Sequence, residues 1–226
     1  MLFAKNYATQ RRKMVQNQIK ARGINTPEVL AVMRKVERHL FVKPEHLNVA
    51  YQDGALPIDC DQTISQPYIV ALMTDLLELT PTSKVLEIGT GCGYQTAILA
   101  ELAKDVYSIE IIPGLAKSAK ARLEVLNYQN IHLKKGNGYY GWQEHAPYDA
   151  MLVAAAPTDV PERLIQQLEP GGRMVIPVGS SEQNLLLIRK GFQTDENSAP
   201  SLETTEIIPV RFVPMTGNLN YSKTYN

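Results

Sequence analysis

Apolar positions recur every third or fourth residue near the start of the chain. From Pro67 onward they give way to short apolar runs separated by amphipathic stretches. In the first fifty residues Met14, Val15, Gln18, Ile19 and Arg22 trace a partial helical stripe that stops at Gly23, a residue suited to closing a helix. Thr26-Pro27-Glu28 then supplies an N-cap, a proline at the first helical position and an early acid, ahead of a second stripe at Leu30, Met33 and Val36. Tyr51 to Ser65 is irregular, with Gly54, Pro57 and the polar residues Asp53, Asp59, Asp61 and Gln62, and predicts a junction or short hairpin.

Beyond it the pattern is regular. Helices are expected at Pro67–Leu79, Tyr94–Lys104, Leu115–Leu126 and about Pro161–Leu168, with strands at Lys84–Ile88, Val106–Ile111, Ile131–Leu133, Ala150–Ala154 and Met174–Val178. Strands alternating with helices of this length define βαβ units and an α/β fold built on a mostly parallel sheet. After Gly179 the helices stop. Leu185–Arg189 and Glu206–Val213 read as an antiparallel extension of the sheet edge, joined by a polar loop at Gly191–Pro200. The expected division is an N-terminal helical cap and junction over 1–66 and a core over 67–226, integrated as one domain.

Composition narrows the classes. With 226 residues, 44% hydrophobic and 20% charged, the chain is an ordinary globular one. Lys+Arg and Asp+Glu each number 23, so bulk electrostatics give no reason to expect a nucleic-acid partner. The balance is uneven along the chain, at +7 over residues 1–50 and −7 over the remainder. Two cysteines, Cys60 and Cys92, exclude a disulfide scaffold and a four-cysteine zinc site. No apolar leader or 18-residue apolar span is present, so the expectation is a soluble, cytoplasmic protein with no membrane partner.

The chemistry concentrates in Val85-Leu86-Glu87-Ile88-Gly89-Thr90-Gly91-Cys92-Gly93-Tyr94, a strand running through a glycine turn into a helix. Such a turn lets backbone approach a nucleotide-like ligand at the strand's C-terminal end. A dinucleotide fingerprint starting at Gly89 needs glycine where Tyr94 stands; the pattern here is E-x-G-x-G-x-G. An acid at Glu87 would repel a pyrophosphate and favour a sulfonium or amino group, which points to S-adenosylmethionine. Glu110, 21 residues after Gly89, can accept both ribose hydroxyls. The bland readings are a glycine turn without ligand and a solvated strand-end acid.

The stretch VLEIGTGCGYQTAILAELA, with DQTISQPYIVALM upstream and RFVPM near the C-terminus, resembles the protein-L-isoaspartate O-methyltransferases, which belong to the Rossmann-like, doubly wound, S-adenosylmethionine-dependent class. The resemblance runs from about residue 11 to 217. It implies methylation of the free α-carboxylate of isoaspartyl residues in damaged proteins and peptides, leaving S-adenosylhomocysteine, with no metal and as a monomer. The ester then closes to a succinimide that partly reopens to aspartate. Ser65 matches the family's active-site serine, a carboxylate-positioning donor, although Ser-Gln-Pro also suits a plain helix cap. Thr63 matches a neighbouring substrate position, and Thr216 a position near the cofactor. Cofactor contacts fall on Glu87, Gly89, Gly91, Gly93, Glu110, Asn137, Gly138 and Thr216. One departure stands out: the family's Gly-Asp-Gly is Gly136-Asn137-Gly138 here, so the hydrogen bond accepted from the adenine amine loses its charge-assisted part. Asn-Gly is also prone to deamidation where flexible, which would generate the family's Asp in place.

His39, His46, His132 and His145 lack metal-ligand spacing, Trp142 suits either the adenine or sheet-edge packing, Asp149 suits a structural role, and Arg11-Arg12-Lys13 a solvated face. Two other readings remain: a related methyltransferase acting on RNA or a small molecule, and a catalytically silent S-adenosylmethionine-binding protein.

Overall fold

The computed structural model describes residues 6–192 and 200–217. Helix α1 (Tyr7–Met14) opens on Asn6, whose side chain accepts from the Thr9 amide at 2.9 Å. It continues through a π turn at Val15–Ile19 and a 3-10 turn that ends on Gly23 at φ 97°. Helix α2 (Pro27–Lys35) follows, with Val29, Leu30, Val32 and Met33 buried. The irregular stretch is a hairpin, β1 (Leu56–Pro57) against β2 (Thr63–Ile64).

The core is α3 (Pro67–Leu76), β3 (Lys84–Ile88), α4 (Tyr94–Ala100), β4 (Asp105–Glu110), α5 (Pro113–Val125), β5 (Ile131–Lys135), β6 (Tyr148–Val153), α6 (Glu162–Gln167), β7 (Leu168–Gly179), β8 (Gln183–Lys190) and β9 (Leu202–Val210). The seven strands lie in the order β5-β4-β3-β6-β7-β8-β9; β3 to β7 pair in parallel, while β8 and β9 are antiparallel. The chain winds outward from β3 in one direction and then from β6 in the other. The crevice between these two strands is the topological switch point at which open α/β sheets bind ligands.

Helix α4 ends at Ala100, four residues before the expected Lys104, and three other boundaries differ from the sequence expectation for local reasons. Helix α3 stops at Leu76 because Glu78 takes a left-handed φ of 49°. Strand β7 begins at Leu168, six residues early, because Leu168 pairs with Tyr148 ahead of a register shift. Strand β9 occupies Leu202–Val210 because the Gln183 side chain takes both backbone groups of Phe212, accepting from its amide at 2.7 Å and donating to its carbonyl at 3.1 Å. The chain then turns back over the sheet, where Pro214 bridges to Ala156. Most of the polar loop expected at Gly191–Pro200 lies outside the described residues.

The N-terminal layer shares one apolar cluster with the core: Met14, Ile19, Met33 and Phe41 pack in the same group as Ile64, Val70, Tyr94 and Leu123. Its positive charge is partly matched from outside the segment. Arg22 pairs with Asp53, Lys43 with Asp59 at 3.1 Å and Lys35 with Glu101 at 2.6 Å. These partly exposed pairs add little stability, but they reduce the field that an excess of +7 suggests.

Candidate active site

A cavity of about 390 Å³ opens at the C-terminal ends of β3, β4 and β6, within the size range of small-molecule sites. Its floor is the glycine turn. Gly89, Gly91 and Gly93 have φ of 93°, 56° and 89°, a region costly for a residue with a Cβ. Gly93 also has a packing reason: a Cβ there would lie 3.2 Å from Leu123.

Glu110 closes one side. Its Oε2 accepts from the Gly91 amide at 2.8 Å and its Oε1 from the Ile112 amide at 2.9 Å. The two amides fix the carboxylate plane and leave each oxygen a lone pair directed elsewhere. Ile109, Ile111, Ile112 and Met215 add apolar wall, and Gly138 and Thr216 border the same space. Asp61 and Gln62 of the hairpin line the same cavity. Thr63 and Ser65 follow, and Ser65 makes no hydrogen bond among the described residues. The cap reading for Ser65 is not realised: Gln66 is the N-cap of α3, with no side-chain cap bond.

A second cavity, of about 430 Å³, lies behind the hairpin and is lined by Gln66, Ile69 and Pro209–Val213. The two share Thr63, Ser65, Ala154 and Val213, so the serine stands on their common wall.

Three expected cofactor residues do not border the main cavity. Gly93 lies behind it as described. Glu87 is fully buried beneath the turn, its Oε2 accepting from Ser108 at 2.5 Å and from Thr96 at 2.6 Å, while Ser108 also contacts Thr90 at 2.6 Å. The expectation that Glu87 faces a sulfonium is therefore corrected: the acid braces the turn from below. Burial, against the donations from Ser108 and Thr96 and with some help from the Glu110 charge, pushes its pKa up to about 7. Asn137 directs its side chain to the protein, donating to the Gly217 carbonyl and accepting from the Tyr139 amide at 3.0 Å. The expectation that Asn137 meets the adenine amine is not realised in this geometry; the side chain ties Gly217 to the Tyr139 turn instead.

These two bonds also change the outlook for deamidation, which needs a mobile side chain. We expect Asn137 to deamidate more slowly in the native protein than in the denatured chain, followed by peptide mass spectrometry on ageing; equal rates would contradict this.

Cavity-lining Thr90, Gln95 and Met215 escaped the sequence reading, although Met215 lies inside the RFVPM motif that flagged the region. Trp142 packs edge-on to Tyr107 away from the cavity, Asp149 accepts from the Lys84 amide at 2.7 Å, and Cys92 is buried in the cavity wall. Among the described residues no cluster of metal-ligating side chains occurs.

A switch-point cavity with a glycine turn and an acid ending the next strand is a nucleotide-type site of a Rossmann-like fold, and the E-x-G-x-G-x-G spacing, with Tyr94 where a dinucleotide binder needs glycine, directs it to the S-adenosylmethionine-dependent methyltransferases. The donor set fits that ligand: a carboxylate with lone pairs available for a diol, an apolar slot for a base, and space of the right order. The model of the protein-L-isoaspartate(D-aspartate) O-methyltransferase family matches residues 9–220, and the chain belongs to this family. A protein-L-isoaspartate O-methyltransferase of Picosynechococcus sp. is 55% identical over 92% of this chain and 90% of its own, and one of Trichlorobacter lovleyi is 54% identical over 94% and 95%. Among solved structures, a protein-L-isoaspartate O-methyltransferase superposes with a TM-score of 0.82 at 30% identity, covering 92% of this chain and 67% of that one. A Plasmodium falciparum structure in complex with S-adenosyl-L-homocysteine shares the fold, with a TM-score of 0.77 at 24% identity over 95% of this chain and all of that one.

Proposed function

We propose that this protein transfers the methyl group of S-adenosylmethionine to the free α-carboxylate of L-isoaspartyl residues in damaged proteins and peptides. The observation that carries the reading is Ser65, with no hydrogen-bond partner among the described residues, on the wall shared by two cavities. The cavity above the glycine turn takes the cofactor, and the one beneath Pro209–Val213 takes the peptide.

The chemistry asks little of the protein. An α-carboxylate is already ionised at neutral pH, so no general base is needed. S-adenosylmethionine supplies an electrophilic methyl on a sulfonium. Ser65 Oγ donates to one carboxylate oxygen and holds the other in line with that methyl, with Thr63 beside it. Glu110 accepts from the ribose hydroxyls, Gly89 and Gly91 permit close backbone approach, Gly138 fits against Ile88 at the cavity edge, Asn137 holds Gly217 and Tyr139 behind that edge, and Thr216 closes the cofactor side. Methyl transfer would cancel the opposite charges of carboxylate and sulfonium, so closing the site to water would favour it. Glu87 and Gly93 act behind the turn, without touching the ligand.

Methyl transfer to an isoaspartyl peptide and its aspartyl twin tests the reading: base-labile incorporation into the first alone is expected, and equal labelling of both would overturn it. Ser65→Ala is expected to lower kcat by about 10- to 100-fold, the worth of one hydrogen bond to a charged group, with the melting temperature unchanged. An unaltered rate would remove the serine from the mechanism. The enzyme is read as a cytoplasmic monomer, integrated across its N-terminal cap and core, that needs neither nucleic acid nor membrane. No helix among the described residues is long and apolar enough to cross a membrane.

A further inference from the structure

Arg38 lies in a three-residue turn of the N-terminal layer and is fully buried. Its Nε donates to the Ala50 carbonyl at 2.9 Å and Nη2 to the Gly54 carbonyl at 3.4 Å, while Nη1 has no partner among the described residues. No carboxylate contacts it among those residues. Its guanidinium lies over the Tyr94 ring, 5.1 Å from the centroid. The ionisable side chains that face it are Tyr94, Cys92 and Tyr51, and burial pushes the pKa of all three up, so none carries charge at neutral pH. Arginine is almost never buried without a counter-charge, and it does not escape by losing its proton. A full positive charge therefore sits behind Tyr94 with no negative partner among the described residues.

Tyr94 is part of the main cavity wall, and its hydroxyl is likewise buried without a partner. The acids of that wall, Glu110 and Asp61, belong to β4 and the hairpin; the stretch around Tyr94, with Gln95, Val70 and Ile64, has none. An anionic group seated there meets a positive field through one aromatic ring and no carboxylate beside it.

We propose that Arg38 is a positioning residue whose charge, acting across the ring of Tyr94, attracts and orients the carboxylate at the amino-acid end of the cofactor. The inference rests on the reading that this cavity takes S-adenosylmethionine. It asks Arg38 for a contribution that two backbone carbonyls and a ring face do not require of it, and it gives the unpaired charge a partner present only in the loaded enzyme.

The test compares S-adenosylhomocysteine with its decarboxylated analogue, which keeps the amine and lacks only the carboxylate. Binding is measured by calorimetry on the wild-type protein and on Arg38→Met and Arg38→Gln, both neutral and close in volume, with melting curves as the folding check. The wild type is expected to prefer the carboxylate-bearing ligand by about tenfold, the scale of a unit charge acting across one side chain at an effective dielectric of about 20. In either variant that preference is expected to shrink to within about twofold, while affinity for the decarboxylated analogue holds. A wild-type protein that binds both ligands equally would overturn the proposal even if neither variant folds. So would a variant that weakens both ligands alike, the mark of a brace and not a charge. Failure of the wild type to bind either ligand would instead sink the cofactor reading itself.

Discussion

Replacing Glu110 by alanine is expected to raise the dissociation constant for S-adenosylhomocysteine by roughly 10²- to 10⁴-fold. The carboxylate accepts from the Gly91 and Ile112 amides on one side and is left with one lone pair per oxygen on the other. Removing it deletes two charge-assisted hydrogen bonds to the ribose, at about 1.5–3 kcal/mol each, which converts to that range. It also frees the Gly91 amide and with it the middle of the glycine turn, so the loss should fall at the upper end. Glu110→Gln separates the two contributions, because an amide nitrogen cannot accept from a backbone N–H and the turn loses an anchor while shape is kept. Calorimetric titration is the measurement. A dissociation constant within threefold of wild type in Glu110→Ala would mean that the ligand lies elsewhere.

The second large effect concerns Glu87 and is read as stability against pH. A carboxylic acid whose native pKa is about 7, against an ordinary 4.5, holds its proton more tightly folded than unfolded. It favours folding fully below about 4.5, and the advantage is lost as pH rises through about 7. Over that window the loss is on the order of 3 kcal/mol, since each unit is worth about 1.4 kcal/mol. Glu87→Gln keeps an oxygen to accept from Ser108 and Thr96 and cannot ionise. It should therefore flatten this part of the profile and leave the variant more stable than wild type at pH 8, by about 1–3 kcal/mol. Chemical denaturation at pH 5, 6.5 and 8 measures it. Parallel profiles for wild type and variant would show that Glu87 is not the titrating group.

The two acids also mark what was legible in the sequence. Glu110 could be placed because its distance from the glycine turn reflects one turn of a βαβ unit, a local relation. Glu87 sits one residue before the same turn, and its role depends on which way a strand residue points once Ser108 and Thr96 have folded around it. A five-residue strand buried on both faces has no alternation to reveal that. Arg38 was hidden for a similar reason. Among ten basic residues in the first fifty, nothing local tells the one that is swallowed from those that pair at the surface, and its acceptors are backbone carbonyls 12 and 16 residues away. Apolar runs located the parallel strands to within two residues, except for the start of β7, which lies six residues ahead of Met174 because Leu168 pairs with Tyr148. The limits of β9 depended on one glutamine, Gln183, holding Phe212 across 29 residues, a contact no spacing announces.

The return of the chain after β9 governs when the enzyme first exists. Val213 to Thr216 wall the cavity, the Ala156 amide donates to Val213 and its carbonyl accepts from Met215, and Gly217 is tied to Asn137. On a growing polypeptide the glycine turn and Glu110 emerge long before these residues. A nascent chain ending before Arg211 thus lacks one side of its binding site. The complete cavity therefore requires the seven-residue strap from Arg211 to Gly217, the last of its walls to be synthesised.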